Sequence, residues 1–579
     1  MTTKKWLCII ILLLWIAAVP FYAQADRQKF ELTQSAAEPF NIKSGSSFSA
    51  SGSKLYSARP LNAREAVTAD FAEALQIIQS NHVAGVLLDK NDLTESSVDS
   101  MLRMLDPHSN YLDAAEFQNL LGEHESEYSG TGSSISSYGK AGDDGIYIVS
   151  SYPGSPAFKA GLGYGDRILA INGAGIKGLS LDAVRDKMRG KRGTTVILSI
   201  EKADTKAVKT VELKRDRVQQ PTIPNAYVMS KTIGYIDMTG GFSHTTSAEL
   251  DASLAKLHQQ GMTSLVLDLR GNGGGILGQA ISAAEKFLTS GTLIVTQRSR
   301  SPLDDRSYRS QNRNPETLPL VILVDENTAS ASEVLAGALQ DNDRALIVGE
   351  KTFGKGLVQS VLELPSGSGL TLTTAKYFTP AGRSIQRDYS DGSLYDYFNH
   401  KNNAVEIGKP LVISRTVTNR KVYGGDGITP DEMLAAENLN SRKISLLDPI
   451  FFFTREYING HIKVSEKRNS IARDEIRQKL IFGESPVNGE IMALFRTYVE
   501  HQKECNISGD VFSKEAPFIL STLNYNLSLA SSGINSAQRS RTADDRQIAK
   551  AIELLPKSAQ LALAAKQSRL KLSMLKPAR

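Results

Sequence analysis

The chain has few cysteines and almost no excess of charge. Only two of its 579 residues are cysteines, Cys8 and Cys505, and neither belongs to a Cys/His cluster with metal-ligand spacing. A chain of this length buries a core large enough to make disulfides unnecessary. The net charge of +5 is too small to indicate nucleic acid as a partner. These absences exclude a disulfide scaffold and a Cys/His metal site, and nothing in the sequence calls for a cofactor.

A long apolar run occurs at the N-terminus. Lys4 and Lys5 precede the apolar segment 6–19, and Ala23-Gln24-Ala25 offers small residues for cleavage. The pattern predicts export to the periplasm, with residues 1–25 as a signal peptide. The alternative is an uncleaved anchor in the inner membrane, although segment 6–23 is shorter than the about 20 residues that span a bilayer. Residues 26–60 are rich in serine, which is typical of a flexible spacer.

The remaining sequence predicts an α/β multidomain fold. Helical spacing of Phe71, Leu75 and Ile78 indicates an N-terminal helical region over 61–122. Short strands and turns in 123–217 indicate a β-rich domain. Strands alternate with helices over 218–435, which predicts a core with a mixed sheet, and 436–579 are helical by pattern. Within the core, an insertion at about 387–421 has the composition of a surface excursion.

The β-rich region has the size and order of elements of a PDZ domain and resembles one. The matching segments are 128–132, 155–157, 160–162 and 165–173. In such folds a glycine loop offers backbone N–H groups to the C-terminal carboxylate of a peptide, which adds as a strand beside a helix. The resemblance therefore implies peptide binding at Gly130, Thr131 and Gly132. The alternative for the two glycines is a plain tight turn.

Ser330 lies where an apolar run, 320–324, gives way to a helical pattern. Ser330 and Glu333 match a capping box, and on that pattern alone Ser330 is a helix cap. A helix N-terminus also presents free N–H groups, so Ala331 could stabilise an oxyanion beside a reactive serine hydroxyl. Such a serine needs a base. Histidine would be usual, but the nearest histidines in sequence are His258 and His400.

Lys355 is the candidate base. It follows Ser330 by 25 residues and stands between Gly354 and Gly356. A lysine can accept a proton near neutral pH if its pKa falls by roughly 2–3 units from about 10.4, and burial shifts it in that direction. The glycine-rich loop 268–275 lacks the Lys-Ser/Thr of a phosphate-binding loop, so it is interpreted as backbone that closely approaches a substrate.

Several motifs in order resemble the carboxyl-terminal processing, or tail-specific, protease family. They are 105–112, 268–275, 328–334, 349–359, 377–385 and 427–431. The resemblance implies a serine endopeptidase with Ser330 as nucleophile, Lys355 as general base and Gln359 as the residue that orients the lysine. It also implies Ala331 with Gly273 or Gly274 as oxyanion donors. Ser332 is the rival nucleophile, and the family's serine-to-lysine spacing selects Ser330 instead.

The resulting hypothesis is an exported serine endopeptidase that binds protein or peptide C-termini through its PDZ domain and cuts near them. No histidine is expected to be essential. One alternative is a catalytically silent peptide-binding scaffold on the same fold, and another is a hydrolase of non-protein esters or amides. A regulatory lipoprotein, self-association and inner-membrane attachment through the N-terminus are left open as partners.

Overall fold

The computed structural model describes residues 63–575 apart from 88, 126, 141–142, 231, 391–396, 399–411, 438, 463–484, 503–506 and 508. The predicted signal peptide and serine-rich spacer, residues 1–60, lie outside the described residues. Among the described helices none is long and apolar enough to cross a membrane.

The N-terminal region is not wholly helical. It contains α1 (Ala63–Asn81), a 3-10 turn (Gly85–Leu87), α2 (Lys90–Arg103), β1 (Asn110–Leu112) and α3 (Ala114–His124). The strand β1 pairs antiparallel with residues 369–371 of the core. Three residues are too few to show a strand period, so the sequence pattern, which indicates helices here, gives no sign of this short strand.

The PDZ-like domain is a small antiparallel sheet with two short helices. Its elements are β2 (Glu127–Gly130), β3 (Ser133–Lys140), β4 (Asp143–Ser151), α4 (Pro156–Lys159), β5 (Arg167–Ile171), β6 (Ala174–Gly175), α5 (Leu181–Met188), β7 (Thr195–Glu201), β8 (Val208–Lys214) and β9 (Asp216–Gln219). The strand order is β3-β4-β5-β7-β8, with β6 beside β5, and β2 pairs with β9. Val184 of α5 packs into the sheet with Ile148 and Leu198, all fully buried.

The α/β core is built on a mixed sheet. Its elements are β10 (Asn225–Ser230), β11 (Ile233–Asp237), α6 (Thr246–Gln259), β12 (Ser264–Asp268), α7 (Leu277–Glu285), β13 (Leu293–Ser299), β14 (Arg306–Arg309), β15 (Leu320–Val324), α8 (Ala331–Asp341), β16 (Leu346–Gly349), β17 (Leu357–Glu363), β18 (Gly369–Phe378), β19 (Val412–Arg415), β20 (Lys421–Gly424) and β21 (Glu432–Met433). The strand order is β10-β11-β12-β15-β16-β21, in which only the β10–β11 pair is antiparallel. A second, antiparallel sheet has the order β1-β18-β13-β14, with β17 also on β18. The predicted mixed sheet is confirmed.

Strand β15 is apolar throughout because both of its faces are covered. Leu320, Ile322 and Val324 belong to the core that helices α6, α7 and α8 complete. Val321 and Leu323 belong to a second core on the other face. A central strand buried on both sides reads as a continuous apolar run. Ser330 lies in the turn that follows the carboxyl end of this strand, at the edge of a well-packed sheet.

The C-terminal region contains only helices among its described residues. They are α9 (Ser441–Ile458), α10 (Gly489–His501), α11 (Gly509–Lys514), α12 (Ala516–Ser532), α13 (Ile534–Thr542) and α14 (Arg546–Leu575). Phe451 of α9 stacks on Tyr138 of the PDZ-like sheet with ring centroids 3.7 Å apart. Ile548 and Leu555 of α14 cover the second face of the core sheet. The predicted α/β multidomain fold is confirmed, and its C-terminal helices contact both of the other domains.

Candidate active site

Ser330 has an unusual backbone conformation. It lies between β15 and α8 with φ 56° and ψ −117°, a region that residues other than glycine rarely adopt. Such a conformation costs about 1–3 kcal/mol and persists only where surrounding contacts enforce it. The Ser330 N–H donates to Glu333 Oε2 at 2.8 Å, and the Ser330 carbonyl accepts from the Val334 N–H at 3.0 Å. The first turn of α8 therefore holds Ser330 in place.

Glu333 joins the serine to the lysine. Its Oε2 also accepts from the Lys355 N–H at 2.8 Å, and its Oε1 accepts from the Thr352 hydroxyl and the Gly354 N–H. Burial raises the pKa of Glu333, and these hydrogen bonds act against the rise. Because one oxygen binds the backbone nitrogens of both Ser330 and Lys355, the two residues are neighbours. Glu333 therefore caps helix α8 and also links the backbone of Ser330 to that of Lys355.

The Lys355 amine is in a setting that favours its neutral form. Burial lowers its pKa to about 8, while the negative charges of Asp106 and Glu333 oppose that shift. The neutral form of the amine is therefore more accessible near neutral pH than that of an exposed lysine. Its Nζ donates to Gln359 Oε1 at 2.8 Å. The residue therefore has the ionisation that a general base needs.

Gln359 has a fixed amide orientation. Its Oε1 accepts from the Lys355 ammonium, and its Nε2 donates to the backbone carbonyl of His108. An ammonium only donates and a carbonyl only accepts, so the amide has one orientation that satisfies both partners. The lysine is thereby tied to the turn that precedes β1.

That turn brings a histidine to the lysine. Asp106 Oδ1 accepts from the N–H groups of His108 and Ser109 at 2.8 and 2.9 Å, and its Oδ2 accepts from the Ser109 hydroxyl at 2.7 Å. The His108 ring is buried and shares a 2.8 Å hydrogen bond between its Nε2 and the Tyr397 hydroxyl. Burial, with the positive charges of Lys355 and Arg387, lowers the pKa of His108 to about 2. The imidazole is therefore neutral at any ordinary pH.

The glycine-rich loop packs directly against the serine. A Cβ at Gly274 would lie 2.8 Å from Ser330 Cβ and 2.9 Å from the Ala331 nitrogen. The Gly274 N–H donates to Asn272 Oδ1 at 2.9 Å. Ala331 is the first residue of α8, where the N–H has no partner within the helix. Gly274 of this loop therefore lies next to both Ser330 and the Ala331 nitrogen.

Ser332, the rival nucleophile, is fully buried. Its hydroxyl donates to the Asn272 carbonyl at 2.9 Å. Ser330, by contrast, is only partly buried. The packing of the two serines therefore favours Ser330 as the residue that meets a substrate.

Comparison with known proteins identifies the family of the chain. A sequence model of Peptidase family S41 matches residues 232–393, and one of the PDZ domain matches residues 122–201. A carboxyl-terminal-processing protease of Picosynechococcus sp. is 38% identical over 303 residues, which make up 52% of this chain and 72% of that relative. The chain belongs to the carboxyl-terminal processing protease family.

Further relatives of this carboxyl-terminal processing protease have similar coverage. A carboxy-terminal-processing protease of Bartonella bacilliformis is 34% identical over 323 residues, 55% of this chain and 72% of the relative. Among solved structures, a photosystem II D1 C-terminal processing protease is 28% identical, with a TM-score of 0.34 over 63% of this chain and 92% of that chain.

The predicted peptide-binding loop, residues 130–132, lies in the PDZ domain between β2 and β3. The carbonyl of Thr131 accepts from the Ala157 N–H at 2.9 Å, and that of Gly132 accepts from the Tyr152 N–H at 2.9 Å. Gly132 has φ 78°, and a Cβ there would lie 2.2 Å from Ser155 Cβ. The loop is therefore held by backbone hydrogen bonds and closely packed against Ser155. It leads into β3, which lies at the end of the described sheet with α5 beside it.

Sequence reasoning missed three residues that surround the lysine of this protease. Asp106 and His108 lie in a segment that the sequence analysis matched to the family, but no role was assigned to them. Tyr397 lies in the insertion interpreted as a surface excursion, yet it is 4% exposed. The hydrogen bond from Gln359 to His108 spans 251 positions and that from His108 to Tyr397 spans 289. Such contacts leave no local signal in one sequence.

Proposed function

We propose that this protein is an exported serine endopeptidase that captures protein C-termini in its PDZ domain and cleaves nearby peptide bonds with a Ser330–Lys355 dyad. The observation that carries the proposal is the setting of Lys355: a buried amine with a pKa near 8, oriented by Gln359 and joined to Ser330 through Glu333.

These groups support the following proposed reaction. The Ser330 hydroxyl attacks the scissile carbonyl while the neutral Lys355 amine takes its proton. The Ala331 N–H stabilises the negative oxygen of the tetrahedral intermediate. Lys355 then gives the proton to the departing amine, which leaves an acyl-enzyme. A water molecule attacks the ester while Lys355 takes its proton, and Lys355 then returns the proton to the departing Ser330 oxygen as the new C-terminus is released.

Gly273 is the second donor that we propose for the oxyanion. The backbone N–H of Gly274 already donates to Asn272 Oδ1, whereas Gly274 itself lies against Ser330 and Ala331. Gly274 has no side chain, so it leaves space beside Ser330 for a substrate carbonyl. Any side chain at this position would collide with the serine. The adjacent Gly273 N–H remains the better of the two candidates.

His108 is the alternative base, and its chemistry argues against that role. Its pKa near 2 means that the imidazole has little tendency to accept a proton. Gln386 Nε2 donates to the Tyr397 hydroxyl at 3.2 Å, so the hydroxyl is free to donate its own hydrogen to His108 Nε2. The ring nitrogen is then already occupied. Lys355 therefore remains the proposed base.

Substrate capture follows from the PDZ domain. The C-terminal carboxylate of a protein would bind the N–H groups of Gly130, Thr131 and Gly132. The preceding residues would pair with the outer edge of β3 beside α5. A free peptide carboxylate is then the feature that selects substrates. A regulatory lipoprotein and self-association remain open as partners.

Export is proposed from the leader alone. Its basic start, apolar segment and Ala23-Gln24-Ala25 site fit a signal peptide. The mass of the mature protein purified from its host should correspond to a chain that begins at Asp26. A mass that includes residues 1–25 would favour the inner-membrane anchor instead.

Turnover of a protein substrate with an accessible C-terminus tests the proposal. Wild-type protein should shorten the substrate, and Ser330→Ala should reduce kcat at least about 1,000-fold while its circular dichroism spectrum stays the same. Ser332→Ala is the matched control and should keep most of the activity. A wild-type protein that binds C-terminal peptides without cutting them would support the silent scaffold. Cleavage of esters but not of peptides would support the non-protein hydrolase.

A further inference from the structure

The contacts that hold Gln359 in place extend beyond its hydrogen bond to the His108 carbonyl. Gln359 binds a backbone carbonyl, and a carbonyl positions a partner only if its own segment is held still. Asp106 holds the backbone of the turn with two N–H hydrogen bonds. The Thr373 N–H donates to the Ser109 hydroxyl at 3.0 Å, which ties the turn to β18. The Asn110 side-chain amide also donates to the His108 carbonyl, at 2.8 Å, and the His108 ring makes a further contact from the turn.

Tyr397 holds that ring. Its hydroxyl lies 2.8 Å from His108 Nε2, and the two ring centroids are 5.5 Å apart in an edge arrangement. Phe353, two residues before the lysine, packs edge-on against Tyr397 with centroids 5.7 Å apart. One aromatic side chain of the insertion thus contacts the histidine turn and the lysine loop together.

The same hydroxyl also reaches the lysine loop by hydrogen bonds. Gln386 Nε2 donates to the Tyr397 hydroxyl at 3.2 Å, and Gln386 Oε1 accepts from the Gly356 N–H at 2.8 Å. Arg387 Nη2 donates to the Tyr397 carbonyl at 2.6 Å and its guanidinium lies 4.5 Å from the Phe353 ring centroid. The hydrogen bonds form a closed path from Lys355 through Gln359, His108, Tyr397 and Gln386 to the backbone beside Lys355.

We propose that Tyr397 is a positioning residue for the general base: its hydroxyl locks the His108 turn to the Lys355 loop, so that Gln359 holds the amine in line with Ser330. This inference rests on the proposed function. It assigns a positioning role to Tyr397 of the 387–421 insertion, because the Tyr397 hydroxyl contacts both His108, whose carbonyl binds Gln359, and Gln386, which binds the Lys355 loop.

The alternative is that Tyr397 merely fills an apolar space. Phe353, Phe398 and Tyr389 pack around it and would do so equally around a phenylalanine. Under that alternative the hydroxyl contributes to stability and not to catalysis. Removing only the oxygen separates the two roles.

The charges that face Lys355 are known, so a change in its ionisation can be interpreted. Asp106 and Glu333 are the acidic groups whose charges act on it, and the neighbouring His108 is neutral. Burial raises the pKa of Tyr397 to about 12, so the phenol is neutral as well. Tyr397→Phe therefore removes no charge. A shift in the pH profile would report a change in the position or hydration of the amine.

The test is the pH dependence of peptide cleavage by Tyr397→Phe. The loss of the lock should reduce kcat about tenfold with KM within about twofold, because the PDZ groove is untouched. The midpoint of the rise of kcat with pH should move upward, towards the ordinary lysine pKa of about 10.4, because a looser amine is better hydrated. Tyr389→Phe is the matched control, since its ring lies 6.2 Å from that of Tyr397, and it should behave as the wild type.

The outcomes distinguish this inference from the proposed function. If the wild type cleaves, Ser330→Ala does not, and Tyr397→Phe has the wild-type kcat and pH profile, the positioning role is wrong and the dyad stands. A loss that matches the unfolded fraction, or a change in KM alone, also overturns it. If the wild type cleaves no peptide, the proposed function and the positioning role both fail.

If Tyr397→Phe does not fold, Gln386→Met replaces it. This variant must show the same loss in kcat and the same upward shift of the pH midpoint, and a wild-type pH profile overturns the inference.

Discussion

Lys355 is the proposed general base, and in that role its environment would determine the pH at which the protein can act. Its amine is useful only when neutral, and burial has brought its pKa down to about 8 against the pull of Asp106 and Glu333. The neutral fraction grows as pH rises through that value. Activity should therefore increase from neutral to mildly alkaline pH, in contrast to an enzyme whose base is an ordinary histidine with a pKa of about 6.5.

Gly274 leaves no space for a side chain beside Ser330, the proposed nucleophile. Its φ is 101°, and an added Cβ would lie 2.8 Å from both the Ala329 carbonyl oxygen and Ser330 Cβ. Gly274→Ala should displace the serine loop and lower kcat/KM about 100-fold, since a small misplacement of reacting groups has effects of this size.

Gly278→Ala is the control for that substitution. Gly278 lies in α7, and a Cβ there meets nothing within 4 Å. Its kcat/KM should stay within about twofold of the wild type. Equal rates in the two variants would show that the approach of Gly274 to Ser330 has no part in catalysis.

The α14 helix is an element whose contribution can be measured separately from catalysis. Leu555 is 5% exposed and packs with Val321 and Leu323 under the central strand. Leu555→Ala should lower the free energy of unfolding by roughly 2–5 kcal/mol, because it leaves a cavity in a close-packed core. Urea unfolding followed by circular dichroism measures this loss.

Leu563 provides the comparison within the same helix. It is 57% exposed, so Leu563→Ala should change the free energy of unfolding by only about 0.5 kcal/mol. If both leucine variants were equally stable, α14 would not be an integral part of the core.

Individual elements differ in how well one sequence predicts them. Strand β15 and helix α8 follow from an uninterrupted apolar run and a capping signal, so the position of Ser330 between them was predictable. Strand β1 was not, because it exists through pairing with β18. The same holds for the insertion, where Tyr397 is buried by partners that are distant in sequence.

At the scale of the whole molecule, the C-terminal helices connect the two functional parts. Arg455 of α9 donates to the Gly165 carbonyl and pairs with Glu201 in the PDZ domain. Arg270, in the glycine-rich loop beside Ser330, pairs with Asp545 just before α14. The 436–579 region carries no family motif, so its sequence indicated helices but not these contacts. The C-terminal region therefore contacts both the PDZ domain and the core.

The most direct test of the dyad is the reaction of the protein with a fluorophosphonate between about pH 6 and pH 10. The probe traps the serine that attacks phosphorus with loss of fluoride, and peptide mapping identifies it. We expect the label on Ser330, a labelling rate that rises with a midpoint near pH 8, and no labelling of Lys355→Ala. A label on another serine, or a rate that is unchanged in Lys355→Ala, would contradict the Ser330–Lys355 mechanism.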